Sequence, residues 1–87
     1  YVNSNRESGF GRYDIMLEPK DKNGNSFIME FKVMENMEEK TIEDTIENAK
    51  KQIEEKRYEE NLKERGFTNI TKMVYAFNGK EFKMEVF

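Results

Sequence analysis

The 87-residue sequence predicts an α/β domain with its elements in the order β-β-β-α-β-β. Three observations lead there. Residues 12–18 and 26–34 are two runs of alternating side chains rich in aromatic and branched types, the pattern of half-buried strands. Residues 37–65 carry apolar side chains at helical spacing. Residues 70–77 and 81–87 are two more alternating runs, joined through Asn78-Gly79, a hairpin turn signal.

The first strand is short and covers residues 1–5. Residues 6–11 are polar, contain Gly9 and Gly11, and read as a turn. In the second strand Tyr13, Ile15 and Leu17 share one face, with Asp14 and Met16 on the other. The cluster at 19–25 (PKDKNGN) is a turn, and the flanking strands read as a hairpin. Across the third strand Phe27, Met29, Phe31 and Val33 face one way. Ile28 and Met34 face the other, together with Glu30 and Lys32. A strand apolar on both sides is usually buried on both sides, so this sheet calls for cover on two faces.

Ile42, Ile46, Ala49 and Ile53 form one helical stripe. Tyr58 then falls five residues past Ile53, about 140° around a regular helix, and Leu62 continues from Tyr58. That phase slip predicts a kink, or two helices, near residues 56–59. Gly66 is a natural helix stop. Residues 1–87 therefore read as one domain. Beginning at Tyr1 without a methionine, within a strand as read, they also read as a fragment of a longer protein.

Composition narrows the chemistry. There is no cysteine and no histidine, so thiolate and imidazole ligands and Ser-His triads are excluded. Any metal must be held by oxygens, which points to Mg²⁺, Mn²⁺ or Ca²⁺ before zinc. The net charge of −3 argues mildly against nucleic-acid binding, less so where a cation offsets an acidic site. No apolar run reaches membrane-spanning length and no signal peptide is visible, so no membrane partner is expected and the location reads as cytoplasmic.

Glu30-Phe31-Lys32 is the strongest local feature. Glu30 and Lys32 lie two apart on a strand that reads as central, so both point to one face beside Ile28 and Met34. A buried ion pair or snorkelling side chains would account for that tripeptide alone. Asp14 adds a second carboxylate. If Asp14 pairs opposite Glu30, the two acids share a face with β-carbons ~5 Å apart, close enough to hold one hard cation. The backbone carbonyl of Phe31 could join them. A two-residue Asn23-Gly24 turn would instead set Asp14 opposite Val33 and point it away from Glu30. Pro19 disfavours that tight turn, because it cannot donate a ladder hydrogen bond. The longer loop across 19–25 is therefore expected.

The run Asn5-Arg6-Glu7-Ser8-Gly9-Phe10-Gly11-Arg12-Tyr13-Asp14-Ile15-Met16-Leu17 resembles one branch of the PD-(D/E)XK nuclease superfamily. So do Glu30-Phe31-Lys32-Val33, the helix Ala49-Lys50-Lys51-Gln52-Ile53-Glu54-Glu55-Lys56-Arg57-Tyr58, the strand Val74-Tyr75-Ala76-Phe77, and Gly79-Lys80. That branch is the small nuclease-like domain that follows an ATPase-like domain in many bacterial proteins. The resemblance implies a restriction-endonuclease-like core with a mixed sheet, and hydrolysis of nucleic acid, DNA before RNA, with Mg²⁺ or Mn²⁺. Asp14 and Glu30 would be metal ligands. Lys32 would orient or deprotonate the attacking water, or stabilise charge on the phosphate. Gln52 would approach from the helix, and Tyr58 would pack near the kink. Members usually carry a helix before the first strand, often with a further acid near the site, which this sequence lacks; Glu7 is a candidate for that acid. The missing helix leads to the expectation of a homodimer or higher assembly, with an edge strand as one route.

Two other readings stand beside the nuclease. One is a non-catalytic module of the same fold, used for oligomerisation or for docking to the ATPase-like part. The other is an unrelated α/β binding domain with Glu30 and Lys32 in a buried salt bridge. Lys50, Lys51, Lys56 and Arg57 could touch phosphates, although the charge-dense helix reads first as a solvated face.

Overall fold

The structure is a computed structural model that describes residues 2–7, 12–35 and 37–87, with backbone alone at 2–7. Among these residues the strands are β1 (Val2–Glu7), β2 (Arg12–Leu17), β3 (Asn25–Val33), β4 (Asn69–Asn78) and β5 (Glu81–Val86). Two helices, α1 (Ile42–Glu55) and α2 (Tyr58–Glu64), lie between β3 and β4. The strands form one mixed sheet in the order β1-β2-β3-β4-β5, parallel between β3 and β4 and antiparallel elsewhere. The expected β-β-β-α-β-β order holds, with the helical region divided in two.

β1 runs to Glu7, two residues beyond the expected strand, and Asn5 pairs with Asp14. The expected turn over 6–11 thus loses Arg6 and Glu7 to β1, and its residues 8–11 lie outside those described, as does Tyr1. The β2–β3 connection is the long one. Gly24 N–H donates to Asp21 O at 2.9 Å and Asn23 N–H to Asp21 Oδ1 at 2.9 Å, closing a compact turn beside Pro19. The strands leave it in the register that sets Asp14 opposite Glu30.

The helical region begins later than the expected residue 37. Thr41 caps α1: its Oγ1 accepts from Asp44 N–H at 3.3 Å, while Asp44 Oδ2 accepts from Thr41 N–H at 3.1 Å. These two bonds satisfy end groups that no helical turn can reach. The break falls where the phase slipped. Lys56 ends α1, and Arg57, with φ 56°, turns the chain into α2. Gly66, at φ 94°, ends α2 with Phe67 N–H bonded to Leu62 O and its own N–H to Lys63 O, each at 3.0 Å. In the β4–β5 hairpin Asn78 pairs with Glu81, so Gly79 (φ 59°) and Lys80 are the two turn residues, one position later than the Asn78-Gly79 expectation.

The helices cover one face of the sheet. Ile46, Ala49 and Ile53 of α1 and Leu62 of α2 pack with Met16, Ile28, Val74, Ala76 and Phe67 into a single core. The opposite face carries Phe27, Met29, Phe31, Met73, Tyr75 and Phe77, half-buried, and Val33, Phe82, Met84 and Val86, exposed. Phe31 stacks on Tyr75 with ring centroids 4.7 Å apart. The second layer of cover that β3 calls for is not supplied by the described residues. Charge pairs tie the margins together: Arg65 forks onto Glu18 at 2.6 and 2.9 Å, and Lys50 meets Glu85 at 2.7 Å. No helix among the described residues is long and apolar enough to cross a membrane.

Candidate metal and nuclease site

The β2–β3 register arranges four charged residues as two rows on the helix-covered face. Arg12 pairs with Lys32, and one pleat inward Asp14 pairs with Glu30; the next row, Met16 with Ile28, is core. Asp14, Glu30 and Lys32 are 3%, 1% and 4% exposed. Charged groups rarely reach such burial without compensating partners, so the contacts around them are informative.

Asp14 Oδ2 accepts from Tyr58 Oη at 2.8 Å and from Lys56 Nζ at 2.7 Å. The helix break brings both donors there, since Lys56 closes α1 and Tyr58 opens α2. Lys32 Nζ lies 2.9 Å from Glu39 Oε2, with Glu35 Oε1 at 3.9 Å. Glu39 is 1% exposed. It accepts from Glu35 N–H at 2.8 Å, Thr45 Oγ1 at 3.0 Å and Asn48 Nδ2 at 2.5 Å, besides Lys32. Burial pushes the Glu39 carboxyl up. The Glu35 N–H and the Lys32, Asn48 and Thr45 side chains outweigh that and hold it at about 2.

Asn48, Gln52 and Lys56 recur every four residues and so form a polar stripe along α1 beside its apolar one. Asn48 meets Glu39 and Lys56 meets Asp14. Gln52, between them, lines a cleft of ≈ 370 Å³ with Lys32, Arg12, Lys51 and Asn48, and Glu35, Glu38 and Glu55 also border it. Lys32 and Gln52 thus share a cleft, while Asp14 and Glu30 sit in the row beneath it. The Phe31 side chain stacks on the far face, which leaves only its backbone carbonyl for this side. The side chain of Glu7 lies outside the described residues.

A family model described as the PD-(D/E)XK nuclease superfamily matches residues 1–87. The chain belongs to this superfamily. No curated protein and no solved structure matches it. The sheet with its flanking helices is consistent with the superfamily's restriction-endonuclease-like fold.

Nucleases of this superfamily generally use divalent metals. The donor set here suits a hard cation held partly by water and substrate, since two buried carboxylates face each other across neighbouring strands. No group of three or more acidic side chains that could enclose an ion occurs among the described residues. Lys56 is itself a cation held on Asp14.

Sequence reasoning missed Glu39, Asn48 and the pairing of Lys56 with Asp14. The spacing of Asn48, Gln52 and Lys56 was a usable signal for the last two. Glu39 carried none, because it sits in a charge-dense stretch that reads as the solvated face of a helix.

Proposed function

We propose that this chain hydrolyses phosphodiester bonds of nucleic acid, DNA in preference to RNA, with Mg²⁺ or Mn²⁺ held by Asp14, Glu30 and the Phe31 carbonyl. The observation that carries this reading is the register of Asp14 on Glu30, with Lys32 one pleat along the same covered face, in a chain of this superfamily. When bound, the ion would lower the pKa of a water and offset phosphate charge.

The protein groups supply the rest. Tyr58 orients the Asp14 carboxylate. Lys32, fixed by Glu39, sets positive charge where the cleft meets the acid row, to stabilise the phosphate or hold the attacking water. Gln52 offers an amide from the helix wall, and Arg12, opposite Lys32, adds charge for the phosphate backbone. In the reaction the water oxygen bonds to phosphorus, its proton leaves to solvent or an adjacent base, and the ester oxygen departs and takes up a proton.

By its resemblance the chain would work within a longer bacterial protein that includes an ATPase-like domain. Calorimetric titration of Mn²⁺ into the wild-type chain and into Asp14→Ala tests the site. Binding that is lost with Asp14 supports it, and equal binding by both proteins rejects it.

The sheet face opposite the helices, which the described residues leave uncovered, favours a second reading, assembly of the chain on itself. Val33, Phe82, Met84 and Val86 are 50%, 60%, 44% and 56% exposed, on the face that carries the Phe31–Tyr75 stack. Contiguous apolar surface of this kind marks contact sites.

A further inference from the structure

We propose that Lys56 is an exchangeable counter-cation of the candidate metal site, so that its ammonium and a divalent ion are alternative occupants of Asp14. This inference rests on the metal reading above.

Asp14 is 3% exposed, and its Oδ2 already takes two donors, Lys56 Nζ at 2.7 Å and Tyr58 Oη at 2.8 Å. A buried carboxylate needs such compensation. Only one of the two donors, however, carries charge. The Tyr58 hydroxyl orients the carboxylate and is neutral, so it tolerates a neighbouring cation. An ammonium on the same oxygen would repel a divalent ion in a low-dielectric site.

The placement of Lys56 allows exchange. It is the C-cap residue just after α1, its side chain is 21% exposed, and the next residue, Arg57, leaves helical geometry. The flexible lysine stem lets the ammonium move away from Asp14 without disturbing the core. Lys72 is held elsewhere: its Nζ meets Glu59 at 3.0 Å and lies over the Phe87 ring, away from Asp14. The two contacts on Asp14 therefore divide the work: Tyr58 keeps the ligand aimed, and Lys56 holds the place of the ion.

Two measurements test this. Lys56→Gln removes the competing charge and should tighten Mn²⁺ binding about tenfold by calorimetry, in line with the influence of a single adjacent cation on a carboxylate. Tyr58→Phe should not tighten it. Independently of any variant's folding, reductive ¹³C-methylation of the wild-type chain gives each lysine an NMR signal. The Lys56 signal should move on Mg²⁺ addition with the same midpoint as binding, while that of Lys72 stays in place. Unchanged or weaker Mn²⁺ affinity in Lys56→Gln, or a Lys56 signal that ignores Mg²⁺ while the wild-type chain binds it, overturns the exchange and leaves the metal site standing. A wild-type chain that binds no Mn²⁺ removes the metal reading and this proposal with it.

Discussion

Lys32 Nζ and Glu39 Oε2 lie 2.9 Å apart in a pair that is almost wholly buried, 4% and 1% exposed. The lysine of Glu30-Phe31-Lys32 is thus anchored from the β3–α1 connection, seven residues along the chain. Removing the Glu39 charge would leave a buried ammonium short of its counter-charge. Glu39→Gln is therefore expected to destabilise the fold by about 2–4 kcal/mol in urea denaturation at neutral pH.

The same carboxyl makes stability depend on pH. Its folded value, about 2, lies below the ordinary 4.5, so the ionised form stabilises the native state. That contribution is complete above about pH 4.5 and is lost as pH falls through 2. Glu18, held low by Arg65, and Glu59, held low by Lys72, act in the same direction. Denaturation midpoints recorded from pH 6 down to pH 2 should fall for the wild type, with Glu39 supplying on the order of 2 kcal/mol of the loss. Glu39→Gln should show a shallower decline, and a parallel one would contradict the assignment.

Thr41→Ala should cost about 1 kcal/mol, the usual value of a helix N-cap. Thr41 closes a reciprocal box with Asp44 ahead of the helix that carries Asn48, Gln52 and Lys56. Circular dichroism melts of the two proteins would read the difference.

Arg57 adopts φ 56° and, among the described residues, makes one exposed ion pair, to Glu60 at 3.7 Å. A left-handed conformation costs an L-residue roughly 1–2 kcal/mol, whereas an exposed ion pair is worth little. Arg57→Gly should accordingly raise stability by about 0.5–1 kcal/mol. Arg57→Val should lower it. Equal losses in both would mean that the arginine side chain matters more than the backbone turn.

These positions separate what was legible in the sequence from what was not. The Asp14–Glu30 register was legible because Pro19 disfavours a tight turn and the alternative pairing would point the acids apart. The break at Lys56 and Arg57 was legible as the slip between Ile53 and Tyr58. The Thr41–Asp44 box was present as a local signal, yet the charge-dense approach at residues 37–40 read as helix. Glu39 was hidden for a different reason. Its burial arises only when α1 folds back over β3, and no local pattern distinguishes it from exposed Glu38 beside it. The contact of Lys56 with Asp14 is likewise tertiary, spanning 42 positions.

Assembly through the open sheet face makes a separate prediction. Sedimentation velocity should show the average mass rising with protein concentration. Phe82→Glu, which sets a charge at a 60% exposed apolar position, should suppress that rise while leaving the melting temperature within a few degrees. A concentration-independent monomer would discard the assembly reading.

Cleavage assays test the proposed hydrolysis itself. Single- and double-stranded DNA and RNA are incubated with the wild-type chain and with Glu30→Gln, in Mg²⁺, in Mn²⁺ and in chelator. We expect the wild type to cut DNA with either metal and not in chelator, and Glu30→Gln to be at least about a hundredfold slower. Cleavage that persists in chelator or survives Glu30→Gln unchanged would contradict the account, as would a wild-type chain that binds Mn²⁺ through Asp14 but cuts none of the four substrates.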